Sequence, residues 1–266
     1  MGATMDGMAL SSRMKRLAMW LDSRCEPADF IQKRFDSAPF GSCYVTIDAA
    51  RQGPFASGNH NRVHLCGAEP GLEPAGLERL IDLFATAGVK RFFVWLSPGP
   101  DMDVARRWLE ERGLCRIRRT GYPTLCRESG GPGMFASDLQ VREVTRDDVA
   151  AARDRLGDTM WPGYARSVGK DGCFHFMAFD GNRPVAIAAL CVFEDLGYLF
   201  AAATAEGDRR RGAQQALIAS RLQRAEQIGC STLVSETLYM LEHSYRNLQR
   251  AGFKDAYEKE VYEWNA

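Results

Sequence analysis

Apolar residues in the second half of the chain alternate between the spacing of strands and the spacing of helices. The stretch "LQVREVTRDDVAAARDRL" starts with alternating apolar residues, which predicts a strand, and Thr145 with Asp148 three residues later forms a capping-box pair that predicts a helix start. "FHFMAFDGNRPVAIAALCVF" predicts two strands around an Asp-Gly-Asn turn, and "GYLFAAATA" predicts a third. Three strands in succession indicate an antiparallel meander.

A helix, a strand and a second helix are predicted to follow the meander. Ile218, Leu222 and Ala225 lie at i, i+4 and i+7, which gives the first helix a buried face, and this helix ends near Gly229. "STLVSET" predicts a short buried strand, "SYRNLQR" a helix closed by Gly252, and "FKDAYEKEVYEW" a final hairpin-like pair of strands. The predicted order is β-α-β-β-β-α-β-α-β(-β).

The first half of the chain repeats part of this order. "LERLIDLFATAGVKRFFVWLS" has the pattern helix, glycine, strand, and "VARRWLEERGLCRIRR" parallels "SYRNLQRAGFKDAYEK". The glycines that end successive helices are 25 residues apart in the first half, Gly88 to Gly113, and 23 apart in the second, Gly229 to Gly252. We therefore expect two related α/β modules in tandem, each with a mixed α+β sheet.

The glycine-, serine- and proline-rich stretch "RESGGPGMFAS", Arg127 to Ser137, predicts a linker between the modules. The expected boundaries are 1–130 for a degenerate first module and 137–266 for a complete second one.

Composition narrows the classes of function. The chain has 266 residues and 45% hydrophobic residues, enough for a packed core, and its 34 basic and 34 acidic side chains cancel. A neutral chain is not expected to bind nucleic acid as a whole. No apolar run is long enough to cross a bilayer, so neither a membrane nor a secretory location is expected.

The eight cysteines are scattered without a C-x-x-C pair, which favours buried thiols in the reducing cytoplasm. Cys173 and His175 share one face of a predicted strand, but no second ligand pair matches them, so we expect no metal.

The stretch "DRRRGAQQALIAS" places three arginines and a glycine directly before a helix. The first turn of a helix offers unpaired N–H groups and a positive dipole end, both of which attract phosphate. Gly212 allows a ligand to approach the backbone, and Arg209, Arg210 and Arg211 can pair with phosphate oxygens. The pattern indicates a pyrophosphate site, and the alternative is a solvated cluster of charges.

The Walker pattern and the G-x-G-x-x-G pattern are both absent, and the preceding strand is expected to belong to a meander and not to a β-α-β crossover. "RRRGAQ" resembles the R/Q-x-x-G-x-G/A loop of the GCN5-related N-acetyltransferases, the GNAT family, with Gln214 in place of the last Gly or Ala. "SYRNLQRAGF" is similar to the family's helix that ends in Gly-Phe. The resemblance covers roughly 139–264, and the whole chain resembles bacterial two-module GNAT proteins.

The resemblance implies an N-acyltransferase that moves an acetyl group from acetyl-CoA to an amine by direct attack. It also implies that the pantetheine of the cofactor pairs with the strand before the loop and that the phosphates lie on the loop and helix start. The expected cofactor-binding residues are Ala203, Thr204, Ala205, Arg209, Arg210, Arg211, Gly212, Ala213, Gln214, Gln215, Asn247 and Arg250.

Two catalytic residues are expected. Glu236, at the end of "SET", lies on one strand face with Thr232 and Val234 and is the candidate base, although a solvated glutamate is an alternative. The family often has a proton-donating Tyr four residues before the helix-ending Gly, and this chain has Leu248 there. Tyr245, three residues earlier, lies on the same helix face and is the candidate substitute, although it could simply pack.

The acceptor region and the first module carry weaker signals. Trp161 and Tyr164 in "TMWPGYAR" could wall the acceptor site, and exposed aromatic residues at a contact between domains are the alternative. In "GNHNRVHL", His60, Arg62 and His64 share a strand face and could reach toward the second module, and a structural role is the alternative.

Where the second module has arginines, the first module has Glu69 and Glu73, which would repel a diphosphate, so no cofactor is expected there. A non-catalytic acyl-CoA sensor is the alternative function, and the protein is expected to be a monomer or a homodimer.

Overall fold

The computed structural model describes residues 6–24, 31–35, 43–49, 61–117, 121–130, 135, 137–157 and 162–265. The elements of the first half are α1 (Gly7–Arg24), β1 (Ile31–Phe35), β2 (Cys43–Ile47), β3 (Arg62–Cys66), α2 (Pro74–Thr86), β4 (Arg91–Leu96), α3 (Met102–Glu111), β5 (Cys115–Arg116) and β6 (Tyr122–Glu128).

The elements of the second half follow the predicted order closely. They are β7 (Gln140–Glu143), α4 (Arg146–Leu156), α5 (Pro162–Ser167), β8 (Cys173–Asp180), β9 (Arg183–Phe193), β10 (Leu196–Thr204), α6 (Ala213–Ile228), β11 (Thr232–Glu236), α7 (Glu242–Arg250) and β12 (Lys254–Asn265). The capping box of Thr145 and Asp148 is present, and the strands β8, β9 and β10 form the predicted antiparallel meander.

All described strands join one mixed sheet, in the order β1-β2-β3-β4-β12-β6-β11-β10-β9-β8-β7, with the short β5 also paired to β12. The pairs β3–β4 and β10–β11 are parallel, and the remaining pairs are antiparallel. The prediction of an α/β fold with a mixed sheet is confirmed.

The prediction of a final pair of strands is wrong, because β12 is a single strand of 12 residues. Its first part pairs with β6 and its second part, from Glu260 onward, pairs with β4. The run "YEKEVY" contains no glycine, proline or asparagine that would turn the chain, and the sheet keeps it extended by giving it partners from both halves.

The division of the chain at 130 and 137 also differs from the structure. Strand β6 comes from the first half of the sequence but pairs with β11 and β12, so it completes the sheet of the second half. Arg127 and Glu128, expected in the linker, belong to this strand. Helix α1 likewise packs on the second half, where Leu10, Met14 and Leu17 share a buried cluster with residues of β8 to β11.

The strand before the arginine stretch has a second role that the sequence analysis excluded. Because β10 and β11 are parallel neighbours joined by α6, they form a β-α-β crossover. Strand β10 belongs to the meander through β9 and to the crossover through β11, and its sequence pattern indicated only the meander.

Helices cover both faces of the second half of the sheet. Helices α6 and α7 pack on one face, and α1, α4 and α5 pack on the other. Among the described helices, none is both long enough and apolar enough to cross a membrane.

Candidate functional site

The loop before α6 has a backbone shape suited to an anion. Arg210 and Gly212 both have positive φ, 66° and 76°, and Gly212 is the residue immediately before the helix, with no side chain capping it. The first helical hydrogen bond runs from Ala216 N–H to Gly212 O at 3.0 Å. The helix therefore leaves the N–H groups of Ala213, Gln214 and Gln215 for another partner.

The three arginines of this loop do not share one role. The side chains of Arg209 and Arg210 are exposed, whereas Arg211 is held by carboxylates. Arg211 Nη1 donates to Asp180 Oδ2 at 2.8 Å, and its Nη2 lies 3.3 Å from Asp138 Oδ2. The hydrogen bond to Asp180 raises the pKa of Arg211. The expectation that Arg211 contacts the cofactor would require this guanidinium to change partners.

A buried carboxylate anchors the loop from below. Asp208 is 4% exposed and accepts a forked pair of hydrogen bonds from Arg183, at 2.8 and 3.0 Å, and one from Arg155 at 2.8 Å. Arg211 Nη1 lies 3.8 Å from the same carboxylate. Arginines from α4, β9 and the loop itself therefore fix the chain two residues before Arg210.

Gln214 links α6 to α7. Its amide nitrogen donates to Ser244 Oγ at 2.9 Å, and its oxygen accepts from Asn247 Nδ2 at 2.8 Å. Arg250 Nη1 donates to Asn247 Oδ1 at 3.3 Å. Gln214, Asn247 and Arg250, all expected at the cofactor, thus form one hydrogen-bonded group beside the helix start.

Strands β10 and β11 separate next to this loop. Their parallel pairing ends at Leu199 and Ser235, where Ser235 Oγ donates to Leu199 O at 3.0 Å. Strand β10 continues for five more residues along β9 only, through a bulge at which Ala201 has a φ of 50°. The result is a wedge between the two strands with one unpaired edge of β10 on its side.

The register decides which backbone groups face this wedge. Ala205 N–H donates to Val185 O of β9 at 2.9 Å, and Ala203 also faces β9 because directions alternate. Thr204 and Ala202 therefore point their backbone groups into the wedge. Of the three residues expected to pair with pantetheine, only Thr204 directs its backbone N–H and C=O into the wedge. Ala202 was not expected there, because the bulge shifts by one residue which backbone groups face the wedge.

A buried arginine stands behind the bulge. Arg221 of α6 is 2% exposed, and it donates through Nε to Leu217 O at 3.0 Å and through Nη1 to Ala189 O at 3.3 Å. Ala189 pairs with Phe200, the last residue before the bulge. Burial lowers the pKa of Arg221 to about 9, and no described carboxylate contacts it. The hydrogen bond that joins α6 to the strand beside the bulge is therefore made by a charged group that has lost its hydration, which costs free energy.

Glu236, the expected base, lies at the end of β11 beside the wedge. Its side chain is 8% exposed and has three partners, Lys259 Nζ at 2.5 Å, Thr124 Oγ1 at 2.9 Å and Tyr198 Oη at 3.2 Å. Burial lowers the pKa of Lys259 and raises that of Tyr198. Glu236 is therefore not a solvated strand end but the centre of a buried polar group.

Residues of the first half reach the same region. Lys259 Nζ lies 5.2 Å from the ring centre of Tyr122 and 6.0 Å from that of Trp95, and Arg62 stacks over Trp95 at 4.5 Å. Arg62 Nε lies 3.3 Å from His64 Nε2, and burial lowers the pKa of His64. These contacts join Arg62 to His64 and Trp95, so the expectation that Arg62 and His64 reach toward the second half stays a prediction, and His60 lies outside the described residues.

The candidate proton donor has a different partner. Tyr245 Oη donates to Asp255 Oδ2 at 2.6 Å, which raises the pKa of Tyr245 to about 12. Its ring packs edge-on against Tyr239 at 5.3 Å. Leu248, in the position where the family often has tyrosine, is buried in the core below α7.

Tyr164, one of the two residues expected at the acceptor site, does not reach the surface. Tyr164 is fully buried, its hydroxyl donates to Phe176 O at 3.2 Å, and its ring packs against His175. A side chain without accessible surface cannot wall an acceptor pocket, so this expectation is corrected. Trp161 lies outside the described residues.

The corresponding loop of the first half is filled by the protein itself. Glu69 binds Lys15 Nζ of α1 at 3.0 Å and accepts from Ser12 Oγ at 3.0 Å, while Asp101 Oδ2 accepts from Leu72 N–H at 2.7 Å. Glu73 precedes α2 without capping it, and proline occupies the first turn. The Asp101 carboxylate thus already accepts from a backbone N–H just before α2, where a phosphate would otherwise bind.

Sequence reasoning missed Asp208, Arg221, Tyr198, Thr124 and Lys259. No spacing rule connects them to the loop, because their contacts depend on the bulge and on β6 and β12 joining the sheet. Among the described residues, no group of three or more His, Cys, Asp or Glu side chains could hold a metal ion.

Several solved structures that are similar to this chain are named as GCN5-related N-acetyltransferases or GNAT proteins. A GCN5-related N-acetyltransferase from Kribbella flavida aligns over 96% of this chain and 95% of its own, with a TM-score of 0.60 and 16% identity. A tandem GNAT protein from the clavulanic acid biosynthesis pathway aligns over 94% and 87%, with a TM-score of 0.62 and 12% identity. A GCN5-related N-acetyltransferase from Sphaerobacter thermophilus aligns over 71% and 65%, with a TM-score of 0.54 and 12% identity.

The chain therefore has the fold of the GCN5-related N-acetyltransferases, as the arginine loop predicted, and it aligns with a tandem protein of that fold over nearly its whole length. No protein-family model and no curated protein matches the sequence.

Proposed function

We propose that the protein is an acyl-CoA-dependent N-acyltransferase that moves an acetyl group from acetyl-CoA to an amine. The observation that carries this proposal is the presence, side by side, of two backbone features: the N–H groups at the start of α6 that the helix itself does not pair, and the edge of β10 beyond Leu199 that no described strand pairs. A diphosphate on the first would let an extended pantetheine arm pair with the second.

The residues present fit such a ligand. Ala213, Gln214 and Gln215 would bind the phosphates through N–H groups, with Arg209 and Arg210 adding charge. Ala202 and Thr204 would pair with the pantetheine amides, and Asn247 and Arg250 would lie beside the cofactor tail. Acetyl-CoA supplies an activated thioester, and the protein supplies its orientation.

The chemistry follows from the wedge. The acceptor amine must lose a proton, attack the carbonyl carbon and displace the thiolate, while a backbone N–H of β10 stabilises the oxyanion. We propose that Glu236 takes the amine proton, directly or through water, and that Tyr245 returns a proton to the thiolate. The pKa of about 12 keeps the hydroxyl of Tyr245 protonated at neutral pH.

The acceptor is proposed to enter where the halves meet, beside Arg62, Trp95, Tyr122 and Lys259. All four residues take part in the contacts of cations with aromatic rings described above. Lys259 links this group to Glu236 through its ion pair.

One observation favours a second candidate, a non-catalytic acyl-CoA sensor. The carboxylate of Glu236 is already engaged by Lys259 Nζ, Thr124 Oγ1 and Tyr198 Oη, so an acceptor amine would have to displace one of these partners to reach it. A sensor would need the cofactor loop and would have no use for a base.

Two variants at Gly212 test the cofactor site. Asn and Asp have the same shape and both tolerate positive φ, so Gly212→Asn and Gly212→Asp differ chiefly in charge. We expect calorimetry to show coenzyme A binding to the wild type, a modest loss for Gly212→Asn and at least a further tenfold loss for Gly212→Asp. Equal affinities of the two variants would place the phosphates elsewhere.

A second measurement separates transferase from sensor. The wild type is incubated with acetyl-CoA and a panel of amines while free thiol is followed. Thiol release that depends on an amine supports the transferase. Tight binding without such release across the panel supports the sensor.

A further inference from the structure

Two cysteines face each other across neighbouring strands. Cys173 of β8 and Cys191 of β9 are direct partners in the antiparallel register. The adjacent pair, Gly172 and Val192, is joined by a hydrogen bond of 2.8 Å from Val192 N–H to Gly172 O. Because the two kinds of pair alternate, the cysteines form a non-hydrogen-bonded pair, whose Cα atoms are about 4.5 Å apart. That separation is within the range of about 4.4–6.8 Å that disulfides span.

The two thiols already interact. Neither cysteine is in a disulfide and both are buried, with Cys191 fully enclosed and Cys173 8% exposed. The thiol of Cys191 hydrogen-bonds the sulfur of Cys173, and this contact lowers the pKa of Cys173. A thiol with a lowered pKa has more of the nucleophilic thiolate form.

The pair lies between α1 and the candidate site. Cys173 and Cys191 pack in the same cluster as Leu10, Met14 and Leu17 of α1, and the ring of Trp20 covers Gly172 so closely that a Cβ there would lie 2.5 Å from it. On its other side, Cys191 is the direct partner of Tyr198, whose hydroxyl binds Glu236. A change at the thiols is therefore one strand away from the polar group around Glu236.

We propose that Cys173 and Cys191 are a redox modification site that forms a reversible disulfide when the protein meets a hydroperoxide. The thiolate of Cys173 attacks one oxygen of hydrogen peroxide, the O–O bond breaks, and the sulfur becomes a sulfenic acid. The other oxygen leaves as hydroxide, which takes up the proton that the Cys173 thiol had released and becomes one water. The sulfur of Cys191 then attacks the sulfenic sulfur, the S–S bond forms, and the hydroxyl leaves with the Cys191 proton as a second water. Two thiols are oxidised and one peroxide is reduced, and a dithiol reverses the step.

The experiment uses the full-length reduced protein and hydrogen peroxide. After alkylation of the remaining thiols, peptide mass mapping under non-reducing conditions is expected to show the peptides of Cys173 and Cys191 linked, with the link lost on addition of dithiothreitol. Cys173→Ser and Cys191→Ser should each abolish that link. Cys230→Ser is the matched control, since Cys230 is also buried and free but burial raises its pKa. This variant should retain the link.

Helix α1 gives a second variant. Trp20→Ala removes the ring over Gly172, so the link should form several times faster than in the wild type. Absence of the link in folded wild type, under conditions in which a small dithiol is fully oxidised, would overturn the proposal. A dominant link from Cys191 to another cysteine, or a sulfinic acid on Cys173 in place of a link, would overturn it as well. None of these readouts depends on acyl transfer, so the result stands apart from the proposed function.

Discussion

Lys259 Nζ lies 2.5 Å from Glu236 Oε1, and the two side chains are 4% and 8% exposed. One residue comes from the strand that both halves share, and the other ends β11 beside the wedge. The ion pair therefore connects β12, which pairs with strands of both halves, to the candidate site at the end of β11.

Removing one member of this pair should destabilise the protein. Lys259→Met leaves the Glu236 carboxylate buried without its cation, which costs about 3–5 kcal/mol for a buried pair. Glu236→Gln should cost less, because the amide can still accept from Thr124 and Tyr198. Denaturant unfolding of the two variants and of the double variant measures the coupling. Strict additivity in this cycle would mean that the pair contributes no interaction of its own.

Asp208→Asn should loosen the arginine loop. The neutral side chain loses its charge-assisted bonds to Arg155 and Arg183, and since those arginines are half exposed, we expect a loss of about 2 kcal/mol in the free energy of unfolding. Coenzyme A affinity should fall as well, because the loop loses its anchor. Asp138→Asn is the matched control, since this aspartate is 74% exposed and, among the described residues, its ion-pair partner is Arg211. The control should change neither quantity measurably, and an equal effect in both variants would remove Asp208 from its anchoring role.

Arg221→Met tests the arginine behind the bulge. The variant removes a desolvated charge together with the bond to Ala189 O, so the two effects on stability should nearly cancel, within about 1 kcal/mol. The bulge should loosen, and amide exchange in the segment around Ala201 should quicken. Arg224→Met, on the same helix with its partner Glu143, is the control and should leave this exchange unchanged. Unaltered exchange in Arg221→Met would show that the bulge holds without the arginine.

Tyr245→Phe tests the proposed proton donor. If the hydroxyl protonates the leaving thiolate, the rate of amine-dependent thiol release should fall by about 10²-fold, typical of losing a general acid, with coenzyme A affinity unchanged. Asp255→Asn provides a comparison, because it keeps the hydroxyl and removes its acceptor carboxylate. A Tyr245→Phe variant that is less stable but equally fast would limit the tyrosine to its bond with Asp255.

Local signals in the sequence were sufficient for much of the fold and part of the site. The positions of Thr145, Gly229 and Gly252 each obey a rule of helix ends, and the loop at Gly212 has the positive φ that its glycine suggested. These features depend on neighbouring residues alone. The crossover through α6 was not predicted, because the run of apolar residues in β10 is equally typical of a strand in a meander.

Long-range relations were beyond such rules. The bulge at Ala201 follows no glycine or proline, and it moved the wedge-facing backbone to Ala202 and Thr204. Lys259 looks in the sequence like one charge in an exposed alternating strand, and only its pairing with β6 and β4 buries it. Tyr164 was expected at the acceptor site but is buried, because nothing in the residues next to an aromatic side chain near a loop shows whether it is buried.

Strand β12 has a consequence for how the chain comes apart. The first part of β12 pairs with β6 and its second part pairs with β4. If either half of the sheet unfolds and releases β12, the other half therefore loses a paired strand as well. Melting should therefore be cooperative across all 266 residues, with a calorimetric enthalpy equal to the van't Hoff value. A gene cut at the glycine-rich segment would yield two fragments that need each other, and their spontaneous reassembly in a mixture would show that β12 makes the two halves depend on one another.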